Sequence, residues 1–103
     1  LLPSLDLAID SNMEYFDTTQ GDQIRDFIPV EEVASAFLKI ADSEMAQGII
    51  NVGSGNPVSI RDFLEQHIKR RASGIRLRLG VYPRRLDEPL AFWADTYKLR
   101  RII

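Results

Sequence analysis

Thr18-Thr19-Gln20-Gly21-Asp22, then Gln23-Ile24-Arg25-Asp26-Phe27-Ile28-Pro29-Val30, then Glu31-Glu32-Val33-Ala34, is the stretch whose reading decides the fold. Its first five residues read as a turn. The next eight alternate as an extended segment does, Ile24, Ile28 and Val30 on one face and Arg25 and Phe27 on the other. Pro29 removes one backbone donor, which confines it to a sheet edge or to the lead-in of the next helix. From Glu31 the spacing changes to that of a helix over Glu31–Asp42. Val33, Phe37 and Ala41 form one row and Ala34 and Leu38 the adjacent one, and both glutamates sit where the helix dipole favours them.

Outward from this stretch the chain continues to alternate between helix and strand patterns. Leu2, Leu5 and Ile9 recur at helical spacing, and Ser11-Asn12 ends that helix. Met13 to Thr18 reads as a short strand. Downstream, Ile49-Ile50-Asn51-Val52 reads as a buried strand, interior to a sheet larger than this chain supplies. Ser59-Ile60-Arg61-Asp62 opens a helix as a capping box does, with Asp62 in place of Glu or Gln and Ile60, Phe63, Leu64 and Ile68 inward. Ile75-Arg76-Leu77-Arg78-Leu79 alternates strictly, a half-buried strand with its arginines outward. Residues 82–89 read as a loop, and Asp95 as the cap of a last helix. The expected order is helix, two strands, helix, strand, helix, strand, helix: a mixed α/β fold in one small domain, 1–103.

Composition narrows the chemistry. Of 103 residues 45% are hydrophobic and 27% charged, as in globular proteins. No apolar run approaches the roughly twenty residues of a membrane helix. There is no cysteine, hence no disulfide framework or thiolate metal site, which fits a reducing, cytoplasmic setting. The single histidine, His67, excludes a site needing two; on the edge of an apolar helical stripe it reads as a packed side chain rather than a catalyst. The start at Leu1 falls in mid-pattern and reads as part of something longer. Charge is asymmetric: residues 1–66 hold 12 acidic and 3 basic side chains, residues 67–103 hold 3 and 10. The basic third admits two readings, solvated helix ends and strand face or a cationic surface for phosphate or an acidic partner.

Few residues could carry chemistry. Gly53-x-Gly55 before a helix has the first two glycines of a dinucleotide fingerprint, but Val58 stands where the third belongs. A structural turn, needing positive φ or close backbone approach, explains both glycines. Arginine forks match phosphate oxygens, and Arg25 beside Phe27 and Arg84-Arg85 ahead of Trp93 are the arginines placed to use that chemistry.

Taken in order, these segments resemble the C-terminal half of the extended short-chain dehydrogenase/reductase family, the nucleotide-sugar epimerases and dehydratases. Residues 19–28 resemble its T-x-G-x-Q-x-R-D-F-I segment, and Val30 to Ala34 its V-D-D-V-A helix start. Gly48 to Ile60 resembles G-x-x-N-V-G-S-G-x-P-V-S-I, and Arg84 to Asp95 resembles R-R-x-G-D … W-A-D. The sequence departs from the family at Pro29, where His or Tyr is common, and at Leu86-Asp87-Glu88, where a glycine-acid turn is usual.

The resemblance implies a substrate-binding lobe without its N-terminal Rossmann domain. The Ile49–Val52 run and the Val33/Phe37 stripe, suited to a larger sheet, are expected to be bare in this stretch alone and to favour a homo-oligomer. Arg25 and Arg85, with Arg84 beside them, would hold the diphosphate of a nucleotide-diphosphate sugar. NAD or NADP would belong to the full-length enzyme, whose Tyr-x-x-x-Lys pair and glycine-rich loop are not in this stretch; Tyr97 is followed by Arg101 at the fourth position. No catalytic, cofactor-binding or metal-binding residue is assigned within residues 1–103, and no nucleic acid or membrane partner is expected. The competing expectation is a non-enzymatic binding or assembly module that uses the basic C-terminal third.

Overall fold

A computed structural model describes residues 1–103. The elements are α1 (Leu2–Asp10), β1 (Tyr15–Asp17), β2 (Ile24–Arg25), α2 (Val30–Ala41), β3 (Val58–Ser59), α3 (Ile60–Arg70), β4 (Arg76–Arg78) and α4 (Tyr97–Ile102). The chain is mixed α/β as expected, with its third strand at a different segment from the expected one. It divides into two units, Leu1–Gln23 with Ser59–Leu90, and Ile24–Val58 with Ala91–Ile103. No helix is long and apolar enough to cross a membrane.

The first unit repeats one device twice: a helix, a tight reversal, then a strand. β1 and β4 pair in parallel, Tyr15 with Arg76, Phe16 with Leu77 and Asp17 with Arg78. Strand alternation then decides which side chains go in. Ile75 is buried and Leu77 half-buried under the helices, while Arg76 and Arg78 stay exposed. Leu5 and Ala8 of α1 meet Leu64 and Ile68 of α3 over Ile75, and this cluster is the hydrophobic core. Fully burying a leucine contributes about 1.5–3 kcal/mol, and Leu5 and Leu64 are the two fully buried large side chains. The helices are also clasped by charge: Arg71 reaches Asp6 (3.0 Å) and Asp10 (2.7 Å), and His67 Nε2 lies 2.6 Å from Asp6 Oδ1.

Both helices end the same way. Asn12 (φ 56°) and Ala72 (φ 50°) take left-handed backbone just past the helix. The amides of Asn12 and Met13 then close back onto Ile9 and Ala8, and those of Ala72 and Ser73 onto Lys69 and Ile68. Asparagine tolerates that backbone, but alanine places Cβ against its own carbonyl at about 1–2 kcal/mol. Ala72 is exposed, so glycine there would lose little buried surface. Ala72→Gly is therefore expected to stabilise the chain by about 1 kcal/mol, seen as a higher urea midpoint at unchanged slope. An unchanged or lower midpoint would count against the left-handed assignment. At its start α3 is capped as expected, the Ser59 hydroxyl accepting from the Asp62 amide at 3.1 Å.

The second unit buries much less. β2 pairs with the strand that ends this stretch at Val58, and Ile24 bridges in parallel to Ala91. Pro29 caps α2, its carbonyl accepting the amides of Glu32 and Val33. α2 lies on α4 through Ala36 and Leu99, both buried. The apolar stripe of α2 is left largely uncovered: Phe37 is 59% and Leu38 73% exposed. The expected strand at Ile49–Val52 is absent, and the third strand falls at Val58–Ser59. A side chain meets the carbonyls where this run begins. Lys98 Nζ of α4 donates to Gln47 O and Ile49 O, each at 2.9 Å, and supplies the partner a neighbouring strand would have given. Ile49 is left 84% exposed.

Candidate functional site

The polar centre of the second unit is one carboxylate. Asp26 follows Arg25 at the end of β2, and strand alternation sends the two side chains to opposite faces. Its Oδ1 accepts the Ser54 amide at 3.0 Å and the Ser54 hydroxyl at 2.5 Å. Its Oδ2 accepts the amides of Gly55 at 2.9 Å and Ala94 at 3.2 Å. Four donors fill the four lone-pair positions of a carboxylate. Burial pushes the Asp26 carboxyl up, but hydrogen bonds from the Ser54 hydroxyl and the Gly55, Ser54 and Ala94 amides outweigh it and hold the group below its ordinary value.

This settles the chemistry of Gly53-Ser54-Gly55. Gly55 has φ +75°, and a Cβ on it would meet the Thr96 hydroxyl at 2.9 Å; a Cβ on Gly53 would meet the Ala94 Cβ at 2.7 Å. One glycine is required by backbone conformation and the other by close approach. Inward-facing amides of such a turn form an anion site, and here the anion is the protein's own Asp26. The turn, the chain's only Gly-x-Gly, thus has its donors taken and does not fit a dinucleotide pyrophosphate.

The sign of the pH dependence follows from the depressed value. Asp26's contribution is fully present above the unfolded carboxylate range, about pH 4, and is lost as pH falls through the lower folded value. Trp93, the only tryptophan, is bonded directly to Ala94 and reports on this centre. Its fluorescence is expected to hold from neutrality to about pH 4 and to change below it. In Asp26→Asn that acid step should disappear; an identical step in the variant would sink the assignment.

Arg25 occupies the other face of the same strand. Its guanidinium carbon lies 4.3 Å from the centroid of the Phe92 ring, within cation–π range. One of its terminal nitrogens donates to the Ile24 carbonyl at 2.8 Å, and the same carbonyl accepts the Phe92 amide at 3.1 Å. A cavity of about 520 Å³ adjoins this region, lined by Asp26, Ile28, Asn51, Phe92, Trp93 and Asp95 among others. Phe92, not Arg25, is the part of this pair that lines the cavity. A planar cation held on an aromatic face is suited to recognise an anion with a flat group attached.

Arg84 and Arg85 belong to the first unit, as Arg25 belongs to the second. They lie exposed in the loop after β4, where Arg85 Nε is 3.5 Å from Asp87 and the Glu88 amide closes a turn onto the Arg85 carbonyl. Much of the remaining basic third is tied to carboxylates or carbonyls. Arg76 pairs with Glu14 at 3.1 Å, and Arg78 grips Asp17 through two nitrogens, at 2.6 and 3.1 Å. The hydrogen bond from Arg78 also holds the Asp17 carboxyl below its ordinary value. With Arg71 on Asp6 and Asp10 and Lys98 on backbone carbonyls, these cations join elements together. That pattern gives the binding-module reading no support. Tyr97 opens α4, its amide bonded to Asp95 Oδ1 at 3.0 Å, and Arg101 lies over its ring at 5.7 Å. Asp95 thus serves the helix start from one residue before the cap, Thr96.

Asp26 is the residue that sequence reasoning passed over, because carboxylates are usually explained by helix starts. Its signal was present: an aspartate on a strand, in a chain with a Gly-Ser-Gly turn whose amides need an acceptor.

No protein-family model matches the chain. UDP-arabinose 4-epimerase 1 of Arabidopsis thaliana is 28% identical over 88 residues, 84% of this chain and 20% of that protein. CDP-abequose synthase of Salmonella muenchen is 32% identical over 93 residues, 88% of this chain and 32% of that protein. The UDP-N-acetylglucosamine 4-epimerase from Methanobrevibacter ruminantium M1, solved in complex with UDP-N-acetylmuramic acid, superposes with a TM-score of 0.83 at 28% identity, over 99% of this chain and 32% of that one. The chain thus spans a fifth to a third of the length of these relatives.

Proposed function

This chain belongs to the extended short-chain dehydrogenase/reductase family, and on that premise we propose that residues 1–103 form the C-terminal, substrate-binding lobe of a nucleotide-sugar epimerase, dehydratase or reductase. In this reading Arg25, Arg85 and Arg84 hold the diphosphate of a nucleotide-diphosphate sugar. A Rossmann domain outside these residues would hold NAD or NADP, the group that would supply the redox chemistry at a sugar carbon. The observation that carries the reading is Arg25 fixed on the Phe92 ring, 4.3 Å from its centroid, in the segment that matches the family's arginine. The protein's own residues bind and orient; no step of the redox chemistry is assigned to them.

The diphosphate is the feature this reading singles out. Calorimetric titration of the chain with UDP, dTDP and CDP should show binding that the matching monophosphates lose by about tenfold or more, the worth of one charge-assisted contact. Equal affinity for UDP and UMP would defeat the reading.

The same reading assigns the bare apolar side chains Phe37, Leu38 and Ile49 to burial in the larger, homo-oligomeric enzyme. The chain alone should then self-associate in sedimentation experiments, and a monomer at high concentration would argue otherwise.

A further inference from the structure

We propose that Asp26 is the positioning residue of the Arg25 guanidinium, acting through the 92–94 segment and the Phe92 ring; the proposal rests on the reading of Arg25 as a diphosphate ligand. An arginine side chain has many rotamers, and a phosphate-binding arginine works best when few remain to be frozen on binding. Something must therefore hold both the ring and the strand. β2 is only two residues long, too short to do this through a backbone ladder of its own.

The geometry supplies a substitute. The Ile24–Ala91 bridge and the Phe92 amide bonded to the Ile24 carbonyl at 3.1 Å make the first rung between the two segments. Two residues further along each segment the next rung is a side chain: the Ala94 amide donates to Asp26 Oδ2 at 3.2 Å. Phe92 is thus held by its own amide and again two residues on. The other three bonds to Asp26, from the Ser54 amide and hydroxyl and the Gly55 amide, anchor the carboxylate to the glycine turn. Ser54 Oγ in turn accepts the Asn56 amide at 3.0 Å, so the anchor is itself held. On the opposite face Arg25 lies against the ring and bonds the Ile24 carbonyl at 2.8 Å. Asp26 lines the cavity but does not touch Arg25's ligand in this scheme; it fixes the platform on which the arginine lies.

Two readouts separate positioning from mere structural support: the order of the Arg25 Nε–H bond by ¹⁵N relaxation, and the affinity for UDP. Asp26→Asn keeps one acceptor oxygen but turns an amide toward the donors. It should lower Arg25 side-chain order and raise the UDP Kd about tenfold, while methyl resonances of Leu5 and Leu64 in the other unit stay in place. Arg25→Ala combined with Asp26→Asn should be no weaker than Arg25→Ala alone, since both changes remove one function. Ser54→Ala, which leaves the carboxylate and deletes one of its donors, should fall between, and it decides the matter if Asp26→Asn does not fold. Unchanged Arg25 order in these variants, or additive losses of affinity in the double variant, would overturn the proposal. Should the unaltered chain not bind UDP, the ligand reading fails, and Arg25 order in Asp26→Asn still decides whether Asp26 positions it.

Discussion

Leu64→Ala is expected to cost about 3–5 kcal/mol, the range measured for buried leucines whose surroundings cannot collapse. Leu64 is 0% exposed and touches a core of Leu5, Ala8, Ile68 and Ile75. A chain of this size has about 5–15 kcal/mol in all, and small domains sit at the low end. The variant should therefore be largely unfolded, or show a urea midpoint lowered by about 2 M, given slopes of about 1–3 kcal/mol/M. The informative contrast is Phe37→Ala or Leu38→Ala on α2. By spacing these residues look as inward as Leu64, yet they are exposed, and such changes are usually within about 0.5 kcal/mol. If Phe37→Ala destabilised the chain as much as Leu64→Ala, the core would lie elsewhere than the structure puts it.

That contrast marks how far the sequence could be read. The first unit was legible because its elements bury their faces on one another. Ile75 to Leu79 alternates, Leu64 and Ile68 share a stripe, Ser59 caps the helix, and each appears in the structure as read. In the second unit the same rules named α2 and its apolar stripe but misplaced a strand. Periodicity reports that a face is apolar and says nothing of what covers it; for Phe37 and Leu38 nothing within residues 1–103 does. The strand expected at Ile49–Val52 failed for a different reason. Its first carbonyl, Ile49 O, and that of Gln47 just before it are taken by Lys98, about fifty residues away in sequence, and no local pattern announces such a partner. The left-handed backbone of Ala72 was equally silent, since alanine there runs against local preference. Of the candidate site, Arg25, Arg84 and Arg85 were visible as residue types in a recognisable order. Phe92 under Arg25 and Asp26 behind it were not, because both depend on a segment far along the chain folding back onto β2.

Arg25→Ala and Arg85→Ala are each expected to weaken UDP binding by about ten- to a hundredfold, the loss of a charge-assisted contact worth roughly 1.5–3 kcal/mol. The two are held differently beforehand. Arg25 is already stacked on Phe92, so Arg25→Lys, which keeps the charge and loses the planar fork, should fail nearly as badly as alanine. Arg85 must first release Asp87, 3.5 Å away, but both side chains are more than three-quarters exposed. An exposed pair of that kind contributes about 0–1 kcal/mol and exchanges readily. Asp87→Ala should accordingly leave UDP affinity unchanged or slightly improved. Arg76→Ala and Arg78→Ala are the controls, since both arginines sit on the outward face of β4 in pairs with Glu14 and Asp17. They carry the same charge but, on this reading, no part of the ligand, and their loss should shift affinity by less than about threefold at moderate salt. A loss equal to that of Arg25 would mean that UDP answers to general positive charge, and a specific diphosphate clamp would have to be abandoned. If Arg85→Ala alone proved silent, the turn at Leu86-Asp87-Glu88, where this chain departs from the glycine-acid pattern it resembles, would be the reason to look to Arg84 instead.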